Sequence, residues 1–572
     1  MRMGTKWMVI TVLALPALAL GAAGGEPKLR FNERWVYSSH NLLEDKWVDE
    51  VLKIIGRASQ SGYTGLVLAD SKLAILDQMP PKYFKNAARV RDAARAAHLE
   101  IIPMVFPIGY SAGLLAHDPN LAEGVPVIDA PFMVKGRQGT LVPDPAVKLV
   151  NGDLEEVKDN RFAGFYLQDD PGKTTFADTE VVHHGRTSIR IQDSGKEGQN
   201  RNYRIAQRLK VRPHACYRFS AWVKTRDLNP ASGFQLLARG SRWSHPMLTF
   251  YEGHLKPTQD WTPVEVVFNS LEEDEIELYV GHWGGQSGTL WIDELALEEL
   301  ALVNVLRRDG CPLKVASADG KTVFEEGRDF LPVRDPKLGQ EPFAGQYEFH
   351  HAGPVLELTS GSRIKEGDRL RVSWYHPLIV HGFQVMSCLT ERKVYELLRD
   401  QARRVNDLFS PKTFFMSHDE VRVANWCRSC RDLKQTPGEL LAKNVSQCVQ
   451  ILRELNPTAR IVVWSDMFDP HHNAIDHYYL VNGSLEGSWK GLPSDVIIAN
   501  WNVDKAAQSL KWFADRGHSQ IIAGYYDGDL ENLKKWTAAA QGTPKIIGFL
   551  YTTWASKYED LESYGKALLA RE

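Results

Sequence analysis

Asp419 and Glu420 are adjacent carboxylates that directly follow the strand-like run Thr413-Phe414-Phe415-Met416-Ser417-His418. Neighbouring carboxylates raise each other's cost of ionisation, so one can stay protonated while the other is charged. Cleaving a glycosidic bond needs such a division of labour: a proton donor for the leaving oxygen and a group that stabilises the developing cation. Successive strand residues point to opposite faces, so both side chains can reach one pocket only where the strand ends and the backbone turns. Other short apolar runs end in a similar inventory: Tyr37-Ser38-Ser39-His40, Asp70, Tyr375-His376, Trp464-Ser465-Asp466, Asn500-Trp501-Asn502, Tyr525-Tyr526-Asp527 and Tyr551-Thr552-Thr553-Trp554. Carboxylates, imidazoles and flat aromatic rings suit a sugar pocket. Asp419 and Glu420 are the expected catalytic residues, with His376, His418, Trp464, Asp466, Trp501, Tyr525, Asp527 and Trp554 as substrate contacts.

These tips need a scaffold that gathers strand ends. From residue 35 to residue 106 strand-like runs alternate with helical spacing: Trp35-Val36-Tyr37, a helix over 47–58, Gly65-Leu66-Val67-Leu68-Ala69, a helix over 81–97, and Glu100 to Phe106. The rhythm resumes near residue 370 and continues to the end. Parallel βα units follow from this alternation. Nine candidate strands result, three before the break and six after it. A (β/α)8 TIM barrel takes eight, so one of the nine lies outside it. An open doubly wound sheet is the alternative, but no Gly-rich dinucleotide fingerprint or P-loop accompanies it.

Between the halves the pattern changes to short alternating strands, as in Tyr217-Arg218-Phe219-Ser220-Ala221-Trp222-Val223 and Val264-Glu265-Val266-Val267-Phe268. This predicts an inserted antiparallel β-sandwich. The expected organisation is a signal peptide over 1–24, a first barrel part over 25–124, a linker over 125–150, the sandwich over 151–300, a small β-rich segment over 301–368 and the second barrel part over 369–572. Trp222, Trp243 and Trp283 are candidates for a glycan groove, with core packing preferred for Trp222.

Arg2 and Lys6, an apolar run over 7–20 and the small residues Gly21-Ala22-Ala23-Gly24 have the layout of a secretory signal, which predicts a periplasmic or secreted protein with no membrane partner after cleavage. The net charge of −3 gives no reason to expect a nucleic-acid partner. The 16 Trp and 19 Tyr suit a carbohydrate partner as well as a large core. No cofactor and no metal are expected. Cys427 and Cys430 are read as a local disulfide or two thiols, because one CxxC supplies only two of the four ligands of a structural zinc site. His471-His472, after Asp469-Pro470, is read as an exposed loop.

The second α/β stretch resembles the family 20 glycoside hydrolases, the β-N-acetylhexosaminidases and their relatives. The matching features are Asp419-Glu420 at a strand tip, the Tyr525-Tyr526-Asp527 tip, and Trp464, Trp501 and Trp554. The resemblance implies that Asp419 orients a 2-acetamido group whose oxygen is the nucleophile, and that Glu420 is the general acid/base. It also implies that a tyrosine of the 525–527 tip hydrogen-bonds the acetamido group. Ser417 and His418 stand where the family usually has glycines, and Arg34 is the nearest match to its first-strand arginine. The inserted stretch resembles jelly-roll carbohydrate-binding modules through Asn151-Gly152-Asp153-Leu154-Glu155, Asp260-Trp261-Thr262 and Trp291-Ile292-Asp293-Glu294. Two other readings stand beside this one: a glycosidase with a second carboxylate, Asp466 or Asp527, as direct nucleophile, and a non-catalytic glycan-binding protein.

Overall fold

The computed structural model describes residues 31–192, 201–241, 247–251, 253, 255–528 and 530–570. The expected signal peptide and Trp243 lie outside them. Eight parallel strands close into a barrel in chain order: β1 (Glu33–Ser38), β2 (Gly65–Leu68), β3 (Glu100–Val105), β4 (Thr413–Met416), β5 (Arg460–Trp464), β6 (Ile497–Asn500), β7 (Gln520–Ala523) and β8 (Ile546–Tyr551), with β8 pairing back onto β1. Around it run α1 (Asp45–Gln60), α2 (Pro81–Ala96), α3 (Arg392–Phe409), α4 (Pro437–Leu455), α5 (Ala506–Asp515), α6 (Leu530–Ala540) and α7 (Leu561–Leu569).

Local sequence explains these elements. In α1, Val48, Val51, Ile54, Ile55 and Ala58 recur at helical spacing and are all buried. α4 starts from Pro437 behind a reciprocal capping box between Thr436 and Glu439. The barrel strands are buried on both faces, so β2, β4, β6 and β7 read as unbroken apolar runs. One face fills the barrel with Trp35, Val67, Ile102, Phe415, Val462, Ile497, Ile521 and Leu550. Each large side chain so buried contributes about 1.5–3 kcal/mol. The opposite face packs on the helices, as Val36, Phe414 and Val463 do.

The ninth candidate strand is the one outside the barrel. Arg369–His376 pairs antiparallel with Val125–Lys135 and Lys314–Ser317. With Val323–Phe324, Gln138–Leu141 and Leu356–Glu357 it completes a six-stranded sheet. Residues 125–150 are therefore not a plain linker, and residues 369–376 do not belong to the second barrel half. The reason is visible in burial: Arg369–His376 alternates between covered and open positions, as an antiparallel strand does, whereas β4 is buried throughout.

The excursion from the barrel, between β3 and β4, also contains two five-stranded antiparallel sheets. One holds Cys216–Asn229 between Gln259–Asn269 and Ser287–Glu299; the other holds Glu275–Gly285 between Arg201–Lys210 and Phe234–Gly240. Both turn an alternating set of buried apolar residues inward, among them Phe219, Ala221, Val223, Leu236, Ala238, Leu278 and Val280. Trp222 lies on the other face of its strand, stacked on His183 with centroids 4.0 Å apart, so the preference for core packing does not hold.

Candidate active site

A cavity of about 740 Å³ opens at the C-terminal ends of the barrel strands, where barrel enzymes place their chemistry. Its wall combines strand tips (Tyr37, Asp70, Ser417, Asp419, Glu420, Trp464, Trp501, Tyr526 and Trp554) with Tyr110 from the loop after β3. Gln346, His381, Phe383 and Gln384 from the long excursion complete it.

Strand parity assigns the residues beyond β4. Phe415 faces the barrel interior and Phe414 and Met416 the helices. Continuing the alternation turns Ser417 and Asp419 inward and His418 outward. The Ser417 hydroxyl donates to Asp419 Oδ1 over 2.8 Å. His418 is fully buried against α4, its Nε2 3.1 Å from Asn444 Oδ1, and it does not line the cavity. Burial lowers its pKa to about 4, which leaves a neutral imidazole. The strand turns at Glu420, whose φ of 52° is left-handed, so the carboxyls of Asp419 and Glu420 enter the same cavity.

Glu420 is held from several sides. Its backbone N–H donates to Asp466 Oδ2 over 2.9 Å, and its carbonyl accepts from Gln384 Nε2 over 2.8 Å. Tyr110 donates its hydroxyl to Glu420 Oε2, and Arg422 pairs with Oε1 at 2.8 Å. Arg422 also donates to Gln384 Oε1 at 2.5 Å. Gly109 lies so close to the strand tip that a Cβ there would sit 1.9 Å from the Asp419 carbonyl oxygen. Only a residue without a side chain lets Tyr110 approach.

Asp466 is fully buried and does not line the cavity. Besides the Glu420 N–H, it accepts from Asn473 Nδ2 at 3.0 Å and Trp501 Nε1 at 3.4 Å. Burial drives the Asp419 carboxyl well above the usual carboxylate range, and the Asp466 charge adds to it. Asp466 is displaced in the same direction, again by burial first.

Aromatic rings form the remaining wall. Trp501 and Tyr526 are parallel, with centroids 5.9 Å apart, and Trp554 stands across Tyr526 at 6.1 Å. Trp464 and Tyr37 back Trp554 at 5.8 and 5.0 Å. Trp464 Nε1 is a buried donor with no hydrogen-bond acceptor among the described residues.

The other expected contacts lie elsewhere. His376 is buried in the six-stranded sheet, its Nε2 3.0 Å from Asn269 Nδ2, because its strand is not a barrel stave. Tyr525 faces the helices, stacked on Tyr551 at 4.1 Å with its hydroxyl on Asp560 Oδ2 at 2.9 Å. The left-handed backbone at Tyr526, φ 51°, turns that ring into the cavity instead. Asp527 accepts from the backbone N–H groups of Trp554 and Ala555 and from the Thr553 hydroxyl, so it braces a loop and does not line the cavity. Arg34 binds the carbonyls of Phe31 and Gly62, at the strand ends remote from the site. Tyr110, Gln384 and Arg422 are contacts the residue pattern did not single out. Arg422 lies two positions past Glu420, a local signal, whereas Tyr110 and Gln384 meet it only through the fold.

Residues 354–564 match the family described as glycosyl hydrolase family 20, catalytic domain. Over these residues the chain is similar to that family's catalytic domain. The match starts in the six-stranded sheet and takes in β4 to β8, leaving β1 to β3 outside. A β-hexosaminidase of Emericella nidulans is 21% identical over 188 residues, which are 29% of this chain and 28% of that protein. The chain thus aligns with under a third of that relative's length. Among solved structures, TmCBM61 in complex with β-1,4-galactotriose is similar over 27% of this chain and 98% of its own, with 15% identity and a TM-score of 0.21. A rhamnosidase from Novosphingobium sp. PP1Y aligns with 95% of this chain and 59% of its own, with 12% identity and a TM-score of 0.34.

Proposed function

We propose that this protein is an exported retaining glycosidase that removes an N-acetylated amino sugar by substrate assistance. Asp419 orients and polarises the 2-acetamido group, whose oxygen attacks the anomeric carbon. As the bond to the leaving oxygen breaks, Glu420 passes that oxygen a proton. Water then adds to the anomeric carbon of the oxazolinium intermediate, and Glu420 takes up the water's proton. Trp464, Trp501, Tyr526 and Trp554 enclose the sugar ring, and Tyr526 is the tyrosine placed to reach the acetamido group.

One observation carries the choice of nucleophile. Among the described residues the carboxylates lining the cavity are Asp70, Asp419 and Glu420. Asp70 is committed to the N–H groups of Leu42 and Lys72 and to the Tyr83 hydroxyl. Asp466 and Asp527, the alternatives for direct attack, are engaged by backbone and side-chain donors away from the cavity wall. Such a site favours a substrate that brings its own nucleophile. The two five-stranded sheets of the excursion fit a carbohydrate-binding-module-like sandwich that holds the same polymer.

The test is a panel of aryl glycosides. Turnover of N-acetylhexosaminides, with none of the matching 2-hydroxy sugars, is expected, together with inhibition by a thiazoline that mimics the oxazolinium. A covalent adduct with a 2-fluoro sugar would overturn substrate assistance, and a wild-type protein inert across the panel would favour a glycan-binding protein.

A further inference from the structure

Cys388 and the CxxC pair Cys427 and Cys430 meet a buried carboxylate at the joint between the barrel and its excursion. Cys388 Sγ lies 3.5 Å from Cys427 Sγ and 3.5 Å from Cys430 Sγ, and Cys430 Sγ lies 3.7 Å from Glu123 Oε2. One ligand atom from each of the four residues falls within a sphere of contacts no longer than 4.8 Å. All four residues are buried. We propose that Glu123, Cys388, Cys427 and Cys430 bind a structural zinc ion through three thiolates and one carboxylate oxygen.

The spacing fits that ion. With Zn–S near about 2.3 Å and Zn–O near about 2.0 Å, a tetrahedral site has S–S edges of about 3.8 Å and S–O edges of about 3.5 Å. A disulfide does not fit, since its sulfurs would be about 2.05 Å apart. All three thiols are free, the second of the two readings given for Cys427 and Cys430, and Cys388 with Glu123 supplies the two ligands that one CxxC lacked.

The surroundings are built for it as well. Glu123 Oε1 accepts from the N–H groups of Trp426 at 2.7 Å and Cys427 at 2.9 Å, which fixes the carboxylate and leaves Oε2 toward the sulfurs. Thr390 and Ser429 place hydroxyls 3.3 Å from the sulfurs of Cys430 and Cys427. Arg308, tied to the carbonyls of Asn120 and Ala122, brings a positive charge to a cluster in which three thiolates and a carboxylate outnumber a divalent ion. Without an ion, Oε2 of the buried Glu123 carboxylate meets only a weak thiol donor, the Cys430 Sγ at 3.7 Å.

The ligands come from three segments: Glu123 just before the excursion's first strand in the six-stranded sheet, Cys388 just before α3, and Cys427 and Cys430 from the loop that also carries Glu420 and Arg422. The ion pins the catalytic loop to the base of the excursion. It takes no part in bond breaking.

The experiment uses the full chain, purified and dialysed against metal-free buffer. Plasma mass spectrometry should find one zinc per chain, and denaturation with a chelator should release it together with titratable thiols. Cobalt replacement should produce thiolate-to-cobalt charge-transfer absorption, a readout that needs no variant. Cys388→Ser and Cys430→Ser should lose the metal and lower Tm by at least about 5 °C. Cys311→Ser and Cys448→Ser, outside the ligand set, should keep it. Because the serine variants could fail to fold, Glu123→Gln provides a milder change, expected to weaken zinc retention at least tenfold in chelator competition. The proposal is overturned if the wild-type chain holds no zinc and gains no thermal stability from added zinc, or if a disulfide links any two of the three cysteines.

Discussion

The backbone N–H of Glu420 donates to Oδ2 of Asp466 over 2.9 Å, tying the tip of β4 to the tip of β5. Together with the Gln384 bond to its carbonyl, this bond holds Glu420 in its left-handed turn, and with Asn473 and Trp501 it occupies Asp466. Asp466 thus shapes the site without lining it.

The acid role proposed for Glu420 predicts a loss in proportion to how much the leaving group needs the proton. Glu420→Gln is expected to lower kcat on a natural oligosaccharide by about 10²–10⁴-fold, the usual contribution of positioned acid–base catalysis. On an aryl glycoside with an acidic phenol the glycosylation step should lose far less. Equal losses on both substrates, measured by pre-steady-state kinetics, would contradict the acid role.

Asp419 and Asp466 predict a pH dependence of stability. Burial raises both folded-state pKa values above those of the unfolded chain. Such groups favour the fold while protonated, and that advantage is lost as pH rises from the ordinary carboxylate range toward the raised values. Asp466→Asn should therefore match the wild type near pH 3 and exceed it in Tm at pH 8. Each pKa unit is worth about 1.4 kcal/mol, enough for a rise of a few degrees. Because Asp466 positions Glu420, the same variant should lose activity. A lower Tm at pH 8 would refute the assignment.

Gly109→Ala tests the close approach of the Tyr110 loop. Its Cβ would stand 1.9 Å from the Asp419 carbonyl oxygen, so backbone must move. Overpacking of this kind costs about 1–3 kcal/mol. A lower Tm and a lower kcat are expected from a residue that bears no functional group. Tyr110→Phe, which removes only the hydroxyl on Glu420, should lower kcat while leaving Tm nearly unchanged.

Trp464→Phe should raise KM without unfolding the barrel. The indole N–H is a buried donor without an acceptor in the described protein, as expected of a group reserved for a substrate hydroxyl. Loss of one such bond, about 0.5–1.5 kcal/mol, corresponds to roughly 3- to 10-fold in kcat/KM. Trp554→Ala, at the half-open rim, should weaken sugar binding through lost stacking, read from inhibitor Kd.

The strand tips were legible in the sequence because barrel staves buried on both faces produce apolar runs that stop abruptly at polar residues. This located Asp419, Glu420, Trp464, Trp501 and Trp554 in one cavity. Strand parity carried past Met416 turns His418 away from that cavity. The run from Leu370 to His376 has the composition of a stave, but its alternation marks an antiparallel strand, which puts His376 outside the cavity. Tyr525 and Tyr526 could not be separated, since the left-handed turn between them has no composition signal. Glu123, Cys388 and the Cys427–Cys430 pair share no spacing motif and meet only in three dimensions.

The break in the barrel has a consequence for how the protein is made. Tyr110 and Glu420 touch although they are 310 positions apart, and everything between them must be synthesised before β4 can dock on β3. During that interval the first three staves present an unpaired parallel edge, the kind of template that invites association between nascent chains. Production of this protein should therefore depend on translation speed and holding chaperones more than that of an uninterrupted barrel, and an attempt to express residues 354–564 alone would leave β4 and β8 without β3 and β1, the strands they pair with.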